Sequence, residues 1–118
     1  MNYKFQLLNK VALTMEYFNK LLPNYPKNEF VLKQNIEKTY YTMMENLFSY
    51  NINIVERIKQ KYLKDFLVNI SMIDFYAQLS FKKKVISKRQ FVVLGNRFNE
   101  IKKMTYSLIK KDDEKETD

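Results

Sequence analysis

Cysteine, histidine and tryptophan are absent from this 118-residue chain, and glycine occurs once. Without cysteine there is no disulfide and no thiolate nucleophile, and with histidine missing too there is no ligand set for structural zinc. The missing imidazole also removes the side chain that titrates near neutral pH. A single glycine rules out the GxxxxGK[ST] and GxGxxG phosphate loops. One Gly and two Pro are too few turn formers for a many-stranded β fold. Long apolar runs are missing as well: the longest weakly charged stretch, Phe66–Phe81, has 16 residues with Asp74 inside, too short and polar to span a bilayer. Met1–Lys10 holds lysines but no apolar h-region, so the expectation is a cytoplasmic protein with no membrane partner.

What remains is helix-forming. The length fits one domain, and four helices of ~20 residues, each ~30 Å long, use it up. The expected fold class is all-α, an up-down four-helix bundle with helices at about 3–22, 29–50, 54–81 and 87–111. Both prolines fall in "LLPNYPKNEF", Leu21–Phe30, where Pro23 stops the first helix and Pro26 sets the exit direction. Asn28 is the expected cap of the second helix. In "NIN", Asn51–Asn53, Asn51 suits a left-handed break and Asn53 a cap for the third. Ser87 with Gln90 forms a capping box for the fourth.

The apolar stripes follow. Phe5, Leu8, Ala12, Met15, Phe18 and Leu22 mark the first helix, and Leu32, Ile36, Tyr40, Met43 and Leu47 the second. The fourth repeats Phe91, Leu94, Phe98, Ile101, Thr105 and Leu108, with Gly95 read as allowing close approach of a neighbouring helix. The third helix is apolar on most sides. Val55, Ile58, Tyr62, Phe66, Ile73 and Ala77 form one stripe, Leu63, Leu67 and Ile70 widen it, and Val68, Met72, Phe75 and Leu79 lie on the other side. A helix apolar all round must be buried all round, which one small subunit does not achieve. Val68, Met72, Phe75 and Leu79 are therefore the expected oligomer interface.

Charge is the other feature. The net charge is +8, but the tail Asp112–Asp118 has five acids against Lys115, so residues 1–111 carry +12. Such a body attracts polyanions, and the tail is expected to be disordered. At about 100° per residue, Lys88, Arg89, Lys103 and Lys110 fall in one sector of the fourth helix with Asn96 and Asn99, and Lys82, Lys83 and Lys84 precede it. These seven cations form a candidate ridge for phosphate oxygens of RNA or DNA, with no aromatic interleaving apparent. The competing reading is a solvated helix face.

Catalytic machinery is not visible. Di-iron bundles need Glu-x-x-His pairs, and HEPN-type helical ribonucleases pair an Arg with a His. Glu37, Glu45 and Glu56 are magnesium candidates by residue type alone, against surface ion pairing. No catalytic residue, cofactor, metal or small-molecule substrate is assigned.

Two segments carry a resemblance. "YPKNEFVLKQNIEKTYYTMMENLF", Tyr25–Phe48, offers an aromatic–Pro–Lys loop, a polar cap, and then Leu32 and Ile36–Glu37 at helical spacing. "ISKRQFVVLGNRFNEIKKM", Ile86–Met104, starts Ile–Ser–Lys and ends on Glu100, Ile101 and Met104. Both resemble the bAvd-like four-helix bundle proteins, accessory variability determinants of diversity-generating retroelements. The resemblance implies a homopentameric barrel, encoded by a bacterium or phage. It would bind the retroelement reverse transcriptase and its template RNA or cDNA, supporting mutagenic reverse transcription without chemistry of its own. The chain departs from the family in having Lys102 after Glu–Ile, and Thr105, Tyr106 and Ser107 where a Gly–Gly–Trp-like patch follows the Met. The related 23S rRNA intervening-sequence proteins share the fold; their Ser-Ile-Pro-x-Asn-Ile-Ala-Glu-Gly-like segment is missing here, so they rank second. A structural oligomer whose lysines only keep it soluble is the remaining alternative.

Overall fold

The computed structural model describes the backbone of residues 3–117 and the side chains of residues 6–111. Four helices appear in order: α1 (Tyr3–Leu21), α2 (Phe30–Ile52), α3 (Glu56–Lys82) and α4 (Lys88–Thr117). They run up and down in a rod of about 51 × 22 × 20 Å, with no strand among the described residues. Tyr25 and Glu29 of the first connection meet Ser80 and Lys83 beside the third, so these two connections share one end of the rod. The α2–α3 connection lies at the other.

The proline stretch works as its residues dictate. α1 stops at Leu21, and Leu22–Asn24 continues as a single 3-10 turn with Pro23 in its first positions. Tyr25, the residue before Pro26, is extended (φ −66°, ψ 135°), the conformation that a following proline favours. Its ring turns inward, and its hydroxyl donates to Ser80 Oγ at 2.7 Å, while Ser80 Oγ donates to the Tyr76 carbonyl at 2.8 Å. The loop is thereby bolted to the last turn of α3. Burial pushes the Tyr25 phenol above its ordinary value, partly offset by the bond to Ser80.

Several caps differ from expectation. Asn28 sits within a 3-10 turn, Lys27–Glu29, closed by Glu29 N–H to the Pro26 carbonyl at 2.9 Å, and caps nothing. Asn51 stays helical rather than left-handed. Asn53 closes α2 instead of opening α3: its main-chain N–H and its Nδ2 both donate to the Ser49 carbonyl, at 3.1 and 3.0 Å. Without a side-chain cap, α3 begins only at Glu56. The capping box of α4 is present, with Gln90 N–H to Ser87 Oγ at 3.1 Å and Ser87 N–H to Gln90 Oε1 at 2.9 Å. α4 runs on to Thr117, through the segment read as a disordered tail, which contains neither Gly nor Pro to stop it.

The core joins all four helices through Leu7, Val11, Met15, Phe18, Ile36, Met43, Leu47, Leu63, Phe66, Ile70, Ile73, Leu94, Phe98 and Ile101. The stripes of α2 and α4 match expectation closely, apart from half-buried Tyr40 and Phe91. The stripe of α1 is rotated: Leu7 and Val11 are buried, Leu8 is half-buried and Ala12 is exposed. The cause is the packing. α1 leans mainly on α4 and meets α2 over only a few residues, so its buried face turns toward α4. Phe5 lies outside the described side chains. At the start of α3, Val55 and Ile58 are exposed while Lys59 and Gln60 are buried. Lys59 lays its ammonium 5.2 Å from the Tyr50 ring centre, and Gln60 Nε2 donates to the Ile109 carbonyl at 3.1 Å. Gly95 admits no close neighbour: a β-carbon there would find nothing within 4 Å.

Candidate nucleic-acid interface

The basic cluster starts where α3 ends. Val85 N–H reaches back to the Ser80 carbonyl at 2.8 Å and Lys84 N–H to the Phe81 carbonyl at 2.9 Å. This is a Schellman closure, and its left-handed position is Lys84, with φ 61°. Glycine is the usual occupant there, because a β-carbon costs energy in that conformation. Lys82, Lys83 and Lys84 are exposed, and Lys83 pairs with Glu29 at 3.1 Å. Two bends later Lys88 and Arg89 occupy the first turn of α4, which has no acid. Cations there oppose the positive end of the helix dipole, so they do not serve helix stability.

Along α4 the sequence sorts its charges by direction. Leu94, Phe98, Ile101, Thr105 and Leu108 face the core. The flanks hold ions with structural partners. Lys102 meets Asp74 of α3 at 2.5 Å, and Glu100 pairs with Lys10 of α1. Arg97 lies over the Tyr17 ring at 5.3 Å and reaches the Leu13 carbonyl at 3.5 Å. The outward face holds Lys88, Arg89, Asn96, Asn99, Lys103 and Lys110, all exposed. Glu100 is the one acid between Lys88 and Lys111, and it is turned to α1, so this face is free of carboxylates over ~33 Å. Lys82, Lys84, Lys88, Arg89, Lys103 and Lys110 make no ion pair among the described residues, whereas six acids of the body are already paired.

Sequence reasoning missed two members of this face. Val92 and Tyr106 are both exposed and fall in the same outward sector. The signal for Tyr106 was available, since it stands three residues after Lys103 and four before Lys110. Beside the ridge, a groove of about 520 Å³ runs between α1 and α4. Met104 and Leu108 supply its apolar part, Gln6, Lys10, Lys103, Ser107 and Lys111 its polar rim, with Glu100 held by Lys10.

The acidic candidates do not converge. Glu37 lines a separate hollow between α1 and α2, Glu45 is exposed, and Glu56 lies 4.0 Å from Lys59 Nζ. No three His, Cys, Asp or Glu side chains gather among the described residues. The available chemistry is that of anion binding: ammonium and guanidinium groups, amides and one phenol ring. No helix among the described residues is long and apolar enough to cross a membrane.

Of the residues expected at an oligomer interface, Val68 (61% exposed), Met72 and Phe75 (47%) do face outward, opposite Ile70 and Ile73. Leu79 instead packs half-buried against the core. A second apolar strip escaped the sequence reading: Tyr41, Phe48 and Ile52 of α2 are exposed on the face opposite its buried Ile36, Met43 and Leu47.

No family model matches the chain, and neither does any curated protein. Among solved structures, it is similar to a protein of unknown function from the S23 ribosomal protein family of Bacteroides thetaiotaomicron VPI-5482. The superposition gives a TM-score of 0.81 at 16% identity and covers 92% of this chain and 99% of that one. The four-helix bundle is therefore shared, end to end, with a protein of the S23 ribosomal protein family.

Proposed function

We propose that this protein is a non-catalytic adaptor that holds nucleic acid by its phosphates along the outer face of α4 and the lysine-rich end of α3. The carboxylate-free face from Lys88 to Lys110 carries the reading. Lysine and arginine on such a face position a phosphate backbone without reading its bases. In this reading the copies assemble into a ring, the pentamer implied by the bAvd resemblance. Val68, Met72 and Phe75 of one copy would meet a different apolar strip, such as Tyr41, Phe48 and Ile52, of the next. Rings need such unlike, head-to-tail contacts. Repetition of the ridge around a ring multiplies weak contacts by avidity. The same resemblance names the partner as a retroelement reverse transcriptase with its template RNA or cDNA, working in the cytoplasm. A second reading, a 23S rRNA intervening-sequence-type protein, is supported by the likeness to an S23 family structure.

The test is binding measured against salt. Counterion release makes the logarithm of affinity fall steeply with the logarithm of salt, with little base preference. Changing Lys88, Arg89 and Lys103 together to Gln should weaken RNA binding and reduce the salt slope by up to ~3 units. Oligomer mass by light scattering should not change, since these side chains point away from the apolar strips. Unchanged affinity and slope would reduce the ridge to a solvated face.

A further inference from the structure

Tyr106 has no structural task. It is 59% exposed and makes no ring contact or hydrogen bond among the described residues. Lys103 stands one turn before it and Lys110 one turn after, ~4.5 and ~6 Å along the axis. A flat aromatic surface between two cations, with no carboxylate from Lys103 to Lys110, is what a nucleic-acid strand with unpaired bases requires: phosphates on the ammonium groups and a base on the ring. We propose that the stretch of α4 from Lys103 to Lys110 binds single-stranded RNA or DNA, with an unpaired base stacked on Tyr106 and the neighbouring phosphates held by Lys103 and Lys110. The inference rests on the nucleic-acid reading above and adds the class of strand. The groove on the other flank of Lys103, floored by Met104 and Leu108, gives the next base an apolar place to leave water. A duplex uses only the lysines, because its bases are stacked and paired inside the helix, where the ring does not reach them.

The experiment compares a fluorescein-labelled 12-nucleotide single-stranded RNA with the duplex of the same sequence. Anisotropy is read at one salt concentration for the unchanged protein, Tyr106→Ala and Tyr106→Phe, with helicity checked by circular dichroism. Tyr106→Ala should lower the ratio of single-strand to duplex affinity by about 5- to 150-fold, the loss of one stacked base. Tyr106→Phe keeps the ring and should keep the ratio within about twofold. An unchanged ratio in Tyr106→Ala, with both nucleic acids still bound, overturns the stacking assignment and leaves the phosphate ridge standing. An equal loss in both arms also overturns it. Failure of the unchanged protein to bind either nucleic acid at low salt removes the functional reading and this inference together.

Discussion

Lys84 occupies a backbone position that favours glycine, and the consequence is measurable. Its φ of 61° places a β-carbon against the following carbonyl. For a residue with a side chain this costs roughly 1–2 kcal/mol, while glycine gives back about 0.5–1 kcal/mol through its freer unfolded chain. Replacing Lys84 with Gly removes strain and charge together, so the informative comparison is Lys84→Ala against Lys84→Gly. Both lose the ammonium and its favourable interaction with the C-terminal end of α3. Only Gly relieves the β-carbon. The two bonds that define the turn, Lys84 N–H to Phe81 and Val85 N–H to Ser80, are main-chain and persist in both. The Gly variant should exceed the Ala variant by about 1 kcal/mol in urea unfolding, with equal m-values, or about 4 °C in Tm. RNA affinity of the two variants should be equal, and lower than that of the unchanged protein. This pairing separates stability from binding at one residue. An Ala variant as stable as the Gly variant would refute the strain argument. An affinity that follows stability rather than charge would refute the placing of Lys84 in the phosphate site.

Other outcomes follow from single contacts. Gly95→Ala meets open space on a helix, so it should stabilise by about 1 kcal/mol in chemical denaturation; a loss of stability would show that a neighbour packs there after all. Tyr25→Phe deletes the donor to Ser80 and should cost about 1 kcal/mol, since Ser80 keeps its bond to the Tyr76 carbonyl. Folding favours the neutral Tyr25 phenol, whose pKa burial raises above its ordinary 10.0, so this contribution is complete below that pH and fades as pH rises through the folded value. The Phe variant should lose less stability above about pH 10 than the unchanged protein, by thermal melts across that range. The Asp74–Lys102 pair should behave asymmetrically: Lys102→Met strands a carboxylate side chain that is 12% exposed, whereas Asp74→Asn leaves a lysine at 25% that reaches water. About 3 kcal/mol for the first, about 1–2 for the second and a double variant costing less than their sum are expected from a double-mutant cycle.

How much of this was legible beforehand depends on which physical force does the placing. Where burial decides, periodicity is enough: the stripes of α2 and α4, both packed broadly against α3, follow from spacing. α1 departs from its expected stripe where it docks onto α4. Its sequence supports two overlapping stripes, Leu8–Ala12–Met15 and Leu7–Val11–Met15, and only the docking onto α4 selects the second. The caps at Asn28 and Asn53 were misplaced because a capping residue type does not say which helix end it serves: Asn28 sits inside a 3-10 turn, and Asn53 donates to the Ser49 carbonyl at the end of α2. Lys59 and Gln60 could not have been placed in the interior from residue type, since their burial depends on Tyr50 and on the main chain of α4.

The charged face is the instructive case, because no force of folding fixes it. The ridge was readable as an angular sector, but its significance lies in what the acids do. Glu100, the one acid of α4 between Lys88 and Lys111, is drawn to Lys10 of α1, while Glu29 and Asp74 pair with Lys83 and Lys102. A composition count gives the excess of cations and says nothing of this sorting. Tyr106 was overlooked because an aromatic at helical spacing is ordinarily assigned to a core. Here it lies about 100° from both Thr105 and Ser107, and Thr105 holds the buried position by bonding its hydroxyl to the Ile101 carbonyl at 2.7 Å. A threonine buried inside and a tyrosine exposed outside invert the usual order of burial. That inversion would be a loss for folding alone. It is consistent with a helix whose outward side is shaped by what it binds.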